Sequence, residues 1–410
     1  MEIRPILSAL MRNKTGALLI AAQVALSLAI VANALYIVQN RLERVSRPTG
    51  VADESTLFRI NPSTLAKAET PEAKIDLQKR YAEILRAVPG VVSVAWTNQT
   101  PLAQSGWNMG VNLKPKQTES SSNTAYYFGP DSLVKTLGLN LVEGRDFLPD
   151  EIDEIDPDKT QATGRVAILT QTLAKKLFPN GSAVGKLIYI GGGSDPTPIK
   201  IVGVVERLQS PWASNGENGE VSTIVGVRWV DNGSMFAVRT EPGQRDRVMK
   251  DAESALIKGI PGSLVVENES LQQDRYNIYR DDRAVAWMLI TVTVLLLLVT
   301  ASGIVGMATL WVNQRRKQIG VRRALGARRF DVLRYFVTEN MLITTGGIAA
   351  GLVLAVALNQ LLVSQLELTK LPLGYLAVGS VVLWLLGVVA VYGPAWRAAS
   401  ISPAIATRSA

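Results

Sequence analysis

One segment carries the glycines and the lysine that a phosphate-binding loop uses. Residues 181–186 read Gly-Ser-Ala-Val-Gly-Lys, which resembles a loop whose backbone amides and lysine hold phosphate groups. The spacing between its glycines is one residue short, and Leu187 stands where a serine or threonine would bind magnesium. These defects argue against a nucleotide site, and we expect a turn that enters a β-strand.

No other arrangement of residues predicts catalysis. The acidic residues between 150 and 158 lack the glycine and the terminal glutamate of a calcium loop, so we expect a solvated surface loop. The chain has no histidine and no cysteine, which excludes His/Cys metal sites, thiol nucleophiles, Ser-His-Asp triads and disulfides. We therefore expect a protein that is not an enzyme and holds no cofactor or metal of its own.

The charge distribution points to a membrane rather than to nucleic acid. The formal net charge is +8, but residues 39–283 hold 29 basic side chains against 31 acidic ones. Residues 313–336 hold eight basic side chains and only one acidic residue, Asp331. Because basic residues collect in cytoplasmic loops beside apolar spans, this segment is typical of such a loop.

Four apolar stretches are long enough to cross a bilayer, which takes about 20 helical residues. They are residues 16–38, 284–312, 341–363 and 373–392. The first could instead be a signal peptide, since basic residues precede it and Ala32-Asn33-Ala34 mimics a cleavage site. Its apolar run is longer than that of a usual signal peptide and continues past this site, which favours an uncleaved anchor.

A cytoplasmic segment 313–336 determines the predicted orientation of every other part. Both termini would be cytoplasmic, whereas residues 39–283 and 364–372 would lie outside. Arg41, Arg44 and Arg47 at the outer end of the first span conflict with the charge rule, but long translocated domains are largely exempt from it.

The outer domain has an α+β pattern in which one unit occurs twice. Residues 72–88 form an amphipathic helix that ends at Pro89-Gly90 before a strand at 91–96. The same order recurs at 244–258, Pro261-Gly262 and 263–266, about 170 residues later, which suggests one lobe interrupted by an inserted second lobe. Further strands are predicted at 125–128, 165–169, 186–190, 199–205, 223–227 and 235–238.

A helical stalk is predicted between the outer domain and the second span. Residues 268–283 are charged and amphipathic, and no proline separates them from the span. A single continuous helix would transmit displacement where a flexible loop would dissipate it.

The segment after the second span combines arginines with small and apolar residues. Gly320 and Gly326 permit close approach or a bend. On composition alone, an amphipathic helix on anionic lipid is an equally good interpretation. The residues of interest are Arg315, Arg316, Ile319, Gly320, Arg322, Arg323, Ala324, Leu325 and Gly326.

This string resembles the elbow of the MacB/FtsX-type ABC transporter permease family, whose pattern is approximately basic-x-E-I-G-I-R-R-A-L-G-A. Further similarities follow in the same order along nearly the whole chain. They comprise residues 89–95, the Gly-Arg-Asp-Phe turn at 144–147, residues 166–169 through Phe178 to Gly185-Lys186, residues 201–205, Gly347 with Gly351, and residues 394–404.

The resemblance implies the permease subunit of a mechanotransmission-type exporter from the bacterial inner membrane. Such a permease has four transmembrane helices and a periplasmic porter-like lobe with an inserted second lobe on helical stalks. It pairs with a second permease copy, identical or different, and with a cytosolic ATPase dimer that binds ATP and magnesium. A periplasmic adaptor and an outer-membrane channel complete the path. No complete phosphate loop occurs in the sequence, so the ATPase is expected on a separate subunit.

Two residues of this chain differ from the family pattern. Gln318 replaces the acidic residue of the elbow pattern, and Trp396 replaces a basic residue of the tail. The first change removes a possible ion pair with the ATPase and is compatible with a heteromeric permease pair.

The same architecture also resembles that of two other kinds of protein. These are signal transmitters that control a periplasmic enzyme, and permeases that release lipoproteins.

Gly347 and Gly351 form a G-x-x-x-G pattern that permits close helix packing, either between subunits or within one. The predicted divisions of the chain are 1–38 (N-terminus and first span), 39–267 (periplasmic domain), 268–312 (stalk and second span), 313–340 (coupling elbow), 341–393 (third and fourth spans) and 394–410 (tail).

Overall fold

The chain forms two compact units. The structure, a computed structural model, describes residues 14–64, 68–159, 163–190, 197–212, 219–231, 233, 235–260, 264–366 and 371–400. The first unit consists of the described parts of Met1–Glu43 and Asp282–Ala410, and the second of those of Arg44–Asp281.

Helices dominate the first unit, and strands with shorter helices make up the second. The helices are α1 (Lys14–Ser46), α2 (Pro71–Arg86), α3 (Leu133–Leu137), α4 (Gln171–Leu177), α5 (Arg245–Gly259), α6 (Leu271–Ile278), α7 (Arg280–Gln314), α8 (Arg316–Ala324), α9 (Arg329–Leu366) and α10 (Leu373–Ala399). The strands are β1 (Leu57–Thr64), β2 (Val91–Thr97), β3 (Asn108–Asn112), β4 (Ser122–Phe128), β5 (Leu141–Gly144), β6 (Asp153–Ile155), β7 (Val166–Thr170), β8 (Leu187–Ile190), β9 (Pro198–Val205), β10 (Ser222–Val225), β11 (Val227–Trp229), β12 (Met235–Thr240) and β13 (Leu264–Ser270).

Four helices among the described residues are long and apolar enough to span a membrane, as predicted: α1, α7, α9 and α10. Each contains one of the apolar stretches read from the sequence and extends beyond it at one or both ends. Helix α9 begins at Arg329, within the segment assigned to the elbow, and α10 continues through Pro394 to Ala399. The first six residues of the predicted tail are therefore helical.

Several polar side chains inside the apolar bundle are paired across helices. Asn33 of α1 donates to the carbonyl oxygen of Ala355 at 3.1 Å and accepts from Asn359 at 3.3 Å. The hydroxyls of Ser27 and Thr300 lie 2.8 Å apart. Because an unpaired polar group is costly in hydrocarbon, these contacts stabilise one arrangement of the helices.

The second unit contains a four-stranded antiparallel sheet built from two βαβ units. The strand order is β13-β1-β12-β2, with α2 connecting β1 to β2 and α5 connecting β12 to β13. This is the split βαβ arrangement. It confirms the predicted repetition of helix and strand, because the two repeats supply the two halves of one sheet. The predicted turn Pro261-Gly262 lies outside the described residues.

Between β2 and β12 lies the inserted lobe that the sequence predicts. Seven strands are ordered β5-β9-β7-β10-β4-β3-β8, and β8 also pairs with β9, so the sheet closes on itself. Its strands bury Ala167, Ile168 and Leu169 completely. The strand predicted at 223–227 is divided into β10 and β11 at Gly226.

The predicted continuous helix over 268–283 is interrupted. Residues 268–270 belong to β13, where Ser270 pairs with Phe58, and the Ser270 hydroxyl caps α6 by accepting from the Gln273 N–H at 3.1 Å. Tyr279 then separates α6 from α7, with φ −102° and ψ 9°. Its ring is buried among residues of the second unit, and this burial fixes the break.

Candidate functional site

The elbow, residues 313–340, contains a short helix, α8, between the end of α7 and the start of α9. Helix α8 begins after Arg315, and its C-terminal end is closed at Gly326, which has φ +101°. The Ala327 N–H donates to the Arg322 carbonyl at 3.0 Å and the Gly326 N–H to that of Arg323 at 3.2 Å. This is the Schellman pattern that glycine favours at a helix end, so Gly326 supplies the predicted bend.

An acidic residue starts the next helix. The Asp331 carboxylate accepts from the Arg328 N–H at 2.9 Å at the beginning of α9. A carboxylate there satisfies an otherwise unpaired amide and complements the positive end of the helix dipole. The turn between α8 and α9 is thus defined at both of its ends.

Ile319 and Gly320 face inward. Both are buried, and Ile319 packs against Val332 and Phe336 of α9 and against Ala395 of α10. They position α8 on the bundle, and Ile319 also lines a cavity between α8 and α9. The predicted part of these two residues in docking an ATPase stays a prediction.

Arg315 also has a partner within the chain. Its guanidinium Nη1 donates to both carboxylate oxygens of Glu339, at 3.0 and 2.9 Å, and lies 3.4 Å from the Tyr335 hydroxyl. Glu339 is 1% exposed, so the arginine neutralises a buried carboxylate. Glu339 is a functional candidate that was not predicted from the sequence, although a lone carboxylate beside an apolar stretch is itself a signal of a paired or functional group.

The remaining predicted residues form the outer surface of the elbow. Leu325 at the tip of the turn is 83% exposed, and Phe330 at the start of α9 is 66% exposed. The Arg322 guanidinium lies 5.3 Å from the centre of the Tyr335 ring. Arg316, Arg322, Ala324 and Gly326 are exposed, and Arg323 is half-buried.

A cavity of about 320 Å³ opens between α8 and α9. Ile319, Val332 and Phe336 contribute apolar surface, while Arg322 and Asp331 supply opposite charges. Gln318, which replaces the acidic residue of the family pattern, also lines it. The cavity and the exposed Leu325 can receive and contact apolar side chains of a partner, and the surrounding arginines favour acidic groups on that partner.

Gly347 and Gly351 pack against α1 of the same chain. A Cβ atom on Gly347 would lie 2.7 Å from the Ala21 carbonyl oxygen, and one on Gly351 would lie 2.9 Å from that of Ala25. The sequence left packing between subunits and packing within one subunit open, and the structure shows the second.

The two segments that resemble ligand-binding motifs, residues 181–186 and the acidic residues between 150 and 158, make contacts within the fold. Lys186 lies over the Phe178 ring at 4.4 Å, and the Gly185 N–H donates to the Ile201 carbonyl at 2.8 Å, so residues 181–186 form a turn into β8. In the acidic segment, Glu151 pairs with Arg145 and Asp153 with Arg165. Among the described residues no group of three acidic side chains is placed to hold a metal ion.

Comparison with known sequences finds two family profiles. A MacB-like periplasmic core domain matches residues 17–255, and an FtsX-like permease C-terminal region matches residues 290–403. The macrolide export ATP-binding/permease protein MacB of Chromobacterium violaceum is 27% identical over 275 residues, which are 65% of this chain and 40% of that protein. MacB 2 of Yersinia pestis bv. Antiqua is 25% identical over 330 residues, 75% of this chain and 45% of that protein.

The chain thus spans about two fifths of the length of the curated relatives it matches. Among solved structures, one match is the periplasmic region of MacB from Actinobacillus actinomycetemcomitans. The match covers 58% of this chain and 97% of the solved chain, with 14% identity and a TM-score of 0.34. Another match is the extracellular domain of the noncanonic ABC-type transporter YknZ from Gram-positive bacteria. It covers 51% of this chain and 99% of the solved chain, with 18% identity and a TM-score of 0.31.

Proposed function

Since this chain belongs to the ABC transporter permease family defined by a MacB-like periplasmic core domain and an FtsX-like permease region, we propose that it is the permease subunit of a mechanotransmission-type exporter. ATP hydrolysis on a separate cytosolic ATPase would move the periplasmic domain, which would expel substrate from the periplasm.

The elbow is the observation that carries this proposal. Its helix is anchored by Ile319 and by the Arg315–Glu339 ion pair, yet it exposes Leu325 and several arginines beside an apolar cavity. An anchored helix that presents an apolar tip and positive charge suits a transmitter of force from a partner. Displacement of α8 would be passed to α7 and α9, since the ion pair joins the start of α8 to α9.

The assembly follows from this role. The partner is an ATPase dimer that carries ATP and magnesium, and a second permease copy, identical or different, completes the membrane part. The basic elbow supports cytoplasmic N- and C-termini, because positive loops remain on that side. The periplasmic core domain would work with an adaptor and an outer-membrane channel.

The docking role predicts that Leu325→Glu uncouples the ATPase from export. A carboxylate at the exposed tip removes the apolar contact and repels acidic groups on the partner, whereas membrane insertion is unaffected because the residue makes little contact within the chain. Arg323→Glu is expected to act in the same direction. The measurements are ATP hydrolysis by the reconstituted ATPase–permease complex and export in cells.

Leu187→Glu is the matched control, since Leu187 is an exposed leucine (48%) in the inserted lobe. Wild-type coupling and export by the Leu325→Glu protein would refute the docking role.

Co-purification from membranes tests whether the complex works in export. An adaptor and an outer-membrane channel support export, whereas a cell-wall hydrolase or a lipoprotein chaperone would replace export by signal transmission or lipoprotein release.

A further inference from the structure

The second unit contains a cavity of about 330 Å³ that the proposed mechanism does not use. It lies where the split βαβ lobe meets the inserted lobe. Strands β1 and β2 contribute Asn61 and Trp96, whereas Phe128 at the end of β4 and Trp229 of β11 come from the other side. A site that draws residues from both lobes responds to any change in their arrangement.

Aromatic rings form most of its wall. The centre of the Trp229 ring lies 5.1 Å from that of Trp107, edge to face, and 5.2 Å from that of Phe128, stacked. Trp96 stacks on the other side of this group, 6.2 Å from Phe128. Trp107 is 41% exposed although Phe128 is buried, so the rings lead from the surface into the lobe. An exposed tryptophan at the mouth of a cavity is a usual feature of a binding surface.

One carboxylate lies among these rings. Asp231, which follows β11, lines the cavity and accepts a hydrogen bond from the Gly233 N–H at 3.1 Å. Within the described part of the chain it forms no ion pair. Burial raises the pKa of Asp231 to about 6, although the Gly233 hydrogen bond and the charge of Lys74 on α2 act in the opposite direction. At neutral pH the group is therefore mostly ionised and poorly compensated.

Two further polar atoms in the wall lack partners. The indole Nε1 of Trp96 and the side-chain oxygen of Asn61 are buried without a hydrogen bond to any described residue. Buried polar groups are normally satisfied, and an N–H donor of a bound ligand can satisfy the Asn61 oxygen, whereas the Trp96 N–H is itself a donor and needs an acceptor.

We propose that this pocket binds an organic ammonium ion with apolar substituents. Ring faces carry negative potential and attract a cation placed over them, and the Asp231 carboxylate adds a formal negative charge at the same place. An anion would be repelled, and a neutral apolar molecule would leave the carboxylate uncompensated. The volume lies at the lower end of the range for small-molecule sites, which fits a small amine or one cationic group of a larger molecule.

The pocket deepens the proposed function, on which its role in capturing cargo rests. Binding itself requires neither ATP nor a partner. A cation held between the two lobes would be released when their arrangement changes, which connects recognition to periplasmic motion.

Calorimetric titration of the full chain in uncharged maltoside micelles tests the proposal. The probe is phenyltrimethylammonium, whose charge does not depend on pH, and benzenesulfonate provides the same ring with a negative charge. We expect saturable binding of the cation and no binding of the anion. No saturable binding of the cation, or equal binding of both, would overturn the proposal.

Two pairs of variants locate the binding. Asp231→Asn keeps the shape of the side chain and should weaken binding at least about tenfold, because it removes the charge beside the ligand. Asp76→Asn, on the exposed face of α2, should leave binding unchanged. Trp107→Ala should weaken binding several-fold, whereas Trp107→Phe should retain most of it.

Wild-type affinity in the Asp231→Asn protein would exclude this pocket as the site. The outcome is independent of the elbow. If the cation does not bind, the coupling of the ATPase through Leu325 is untouched, and if Leu325→Glu remains coupled, the binding assignment still stands.

Discussion

Asp231 shows how a single ionisable side chain can reduce the stability of the domain that contains it. Its pKa is raised from 3.8 to about 6, chiefly by burial, so folding favours the protonated form. Between these two pH values the folded state binds more protons than the unfolded state. The contribution of this group to stability therefore decreases as the pH rises through that range, and above about pH 6 the folded protein carries the full penalty.

This argument predicts that Asp231→Asn stabilises the protein at neutral pH while it weakens cation binding. Asparagine keeps the volume and the acceptor for Gly233 but has no charge to desolvate. The apparent melting temperature of the variant should exceed that of the wild type at about pH 7.5, and the difference should shrink towards about pH 5. Scanning fluorimetry of the full chain at both pH values measures the effect.

Asp76→Asn is again the control, because Asp76 is exposed and should show no such dependence. A melting temperature of the Asp231→Asn protein that is lower than that of the wild type at neutral pH would contradict the argument. Replacement of a carboxylate that serves binding should increase stability and weaken binding. Replacement of a purely structural carboxylate would instead lower both stability and binding.

At the scale of elements, Gly347 and its neighbour Gly346 give a direct test of packing between α1 and α9. A Cβ at position 347 would lie 2.7 Å from the Ala21 carbonyl oxygen, whereas a Cβ at 346 meets no atom within 4 Å. Backbone atoms of another helix cannot move aside cheaply, so Gly347→Ala should separate the two helices and lower stability by about 1–3 kcal/mol. Thermal unfolding in detergent measures this.

Gly346→Ala is the matched change, and it should be neutral or slightly stabilising because alanine favours helix over glycine. Equal melting temperatures for the two variants would mean that α1 and α9 do not pack closely at this position.

The elements themselves differed in how well the sequence predicted them. The four spans were predicted because an apolar run of about 20 residues is a strong signal. Strand β1 was not predicted, and Pro62 within it is a residue type that argues against a strand. The structure explains why it is tolerated there: the pairing of β1 with β12 covers only Leu57 to Ile60, and Pro62 faces β13 alone. Which neighbouring strand pairs with each residue of β1 is decided by the tertiary structure, and the hydrophobic pattern along the chain does not contain it.

The same limit applies to the elbow. Its turn at Gly326 and its basic surface could be predicted from local sequence, but the inward direction of Ile319 and the pairing of Arg315 with Glu339 depend on which residues α9 and α10 bring opposite them. Likewise the aromatic pocket joins β1, β2, β4 and β11, whose residues are far apart along the chain. Neither arrangement has a signature within a short window of sequence.

At the scale of the whole molecule, one set of part-buried contacts joins the two points at which the chain enters and leaves the second unit. Arg275 of α6 donates to the Glu54 carboxylate at 2.6 Å and to the carbonyl oxygens of Val45 and Arg47. Burial opposes ionisation of Glu54, but hydrogen bonds from Arg275 and Thr49 outweigh it and lower its pKa. The segment that follows α1 and the helix that precedes α7 are thus fastened to each other.

Gln209 joins these segments to the inserted lobe. Its backbone N–H donates to the Thr49 carbonyl at 2.8 Å, its carbonyl accepts from the Tyr127 hydroxyl at 2.6 Å, and its side-chain amide donates to the Tyr279 hydroxyl at 2.9 Å. Under the proposed function, displacement of the chain near Tyr279 would reach the inserted lobe through this buried junction.

Tyr279→Phe removes only the hydroxyl from this junction and should weaken the transmission without unfolding the domain. Loss of one buried hydrogen bond costs about 1 kcal/mol, so backbone amide exchange at Gln209 should accelerate several-fold while the ring stays packed. In the reconstituted complex, less substrate should be exported per ATP hydrolysed. Tyr189→Phe is the control, since the Tyr189 hydroxyl makes no hydrogen bond with the described residues. Unchanged exchange at Gln209 would show that the hydroxyl does not hold the junction, and unchanged export per ATP would show that force enters the lobe elsewhere.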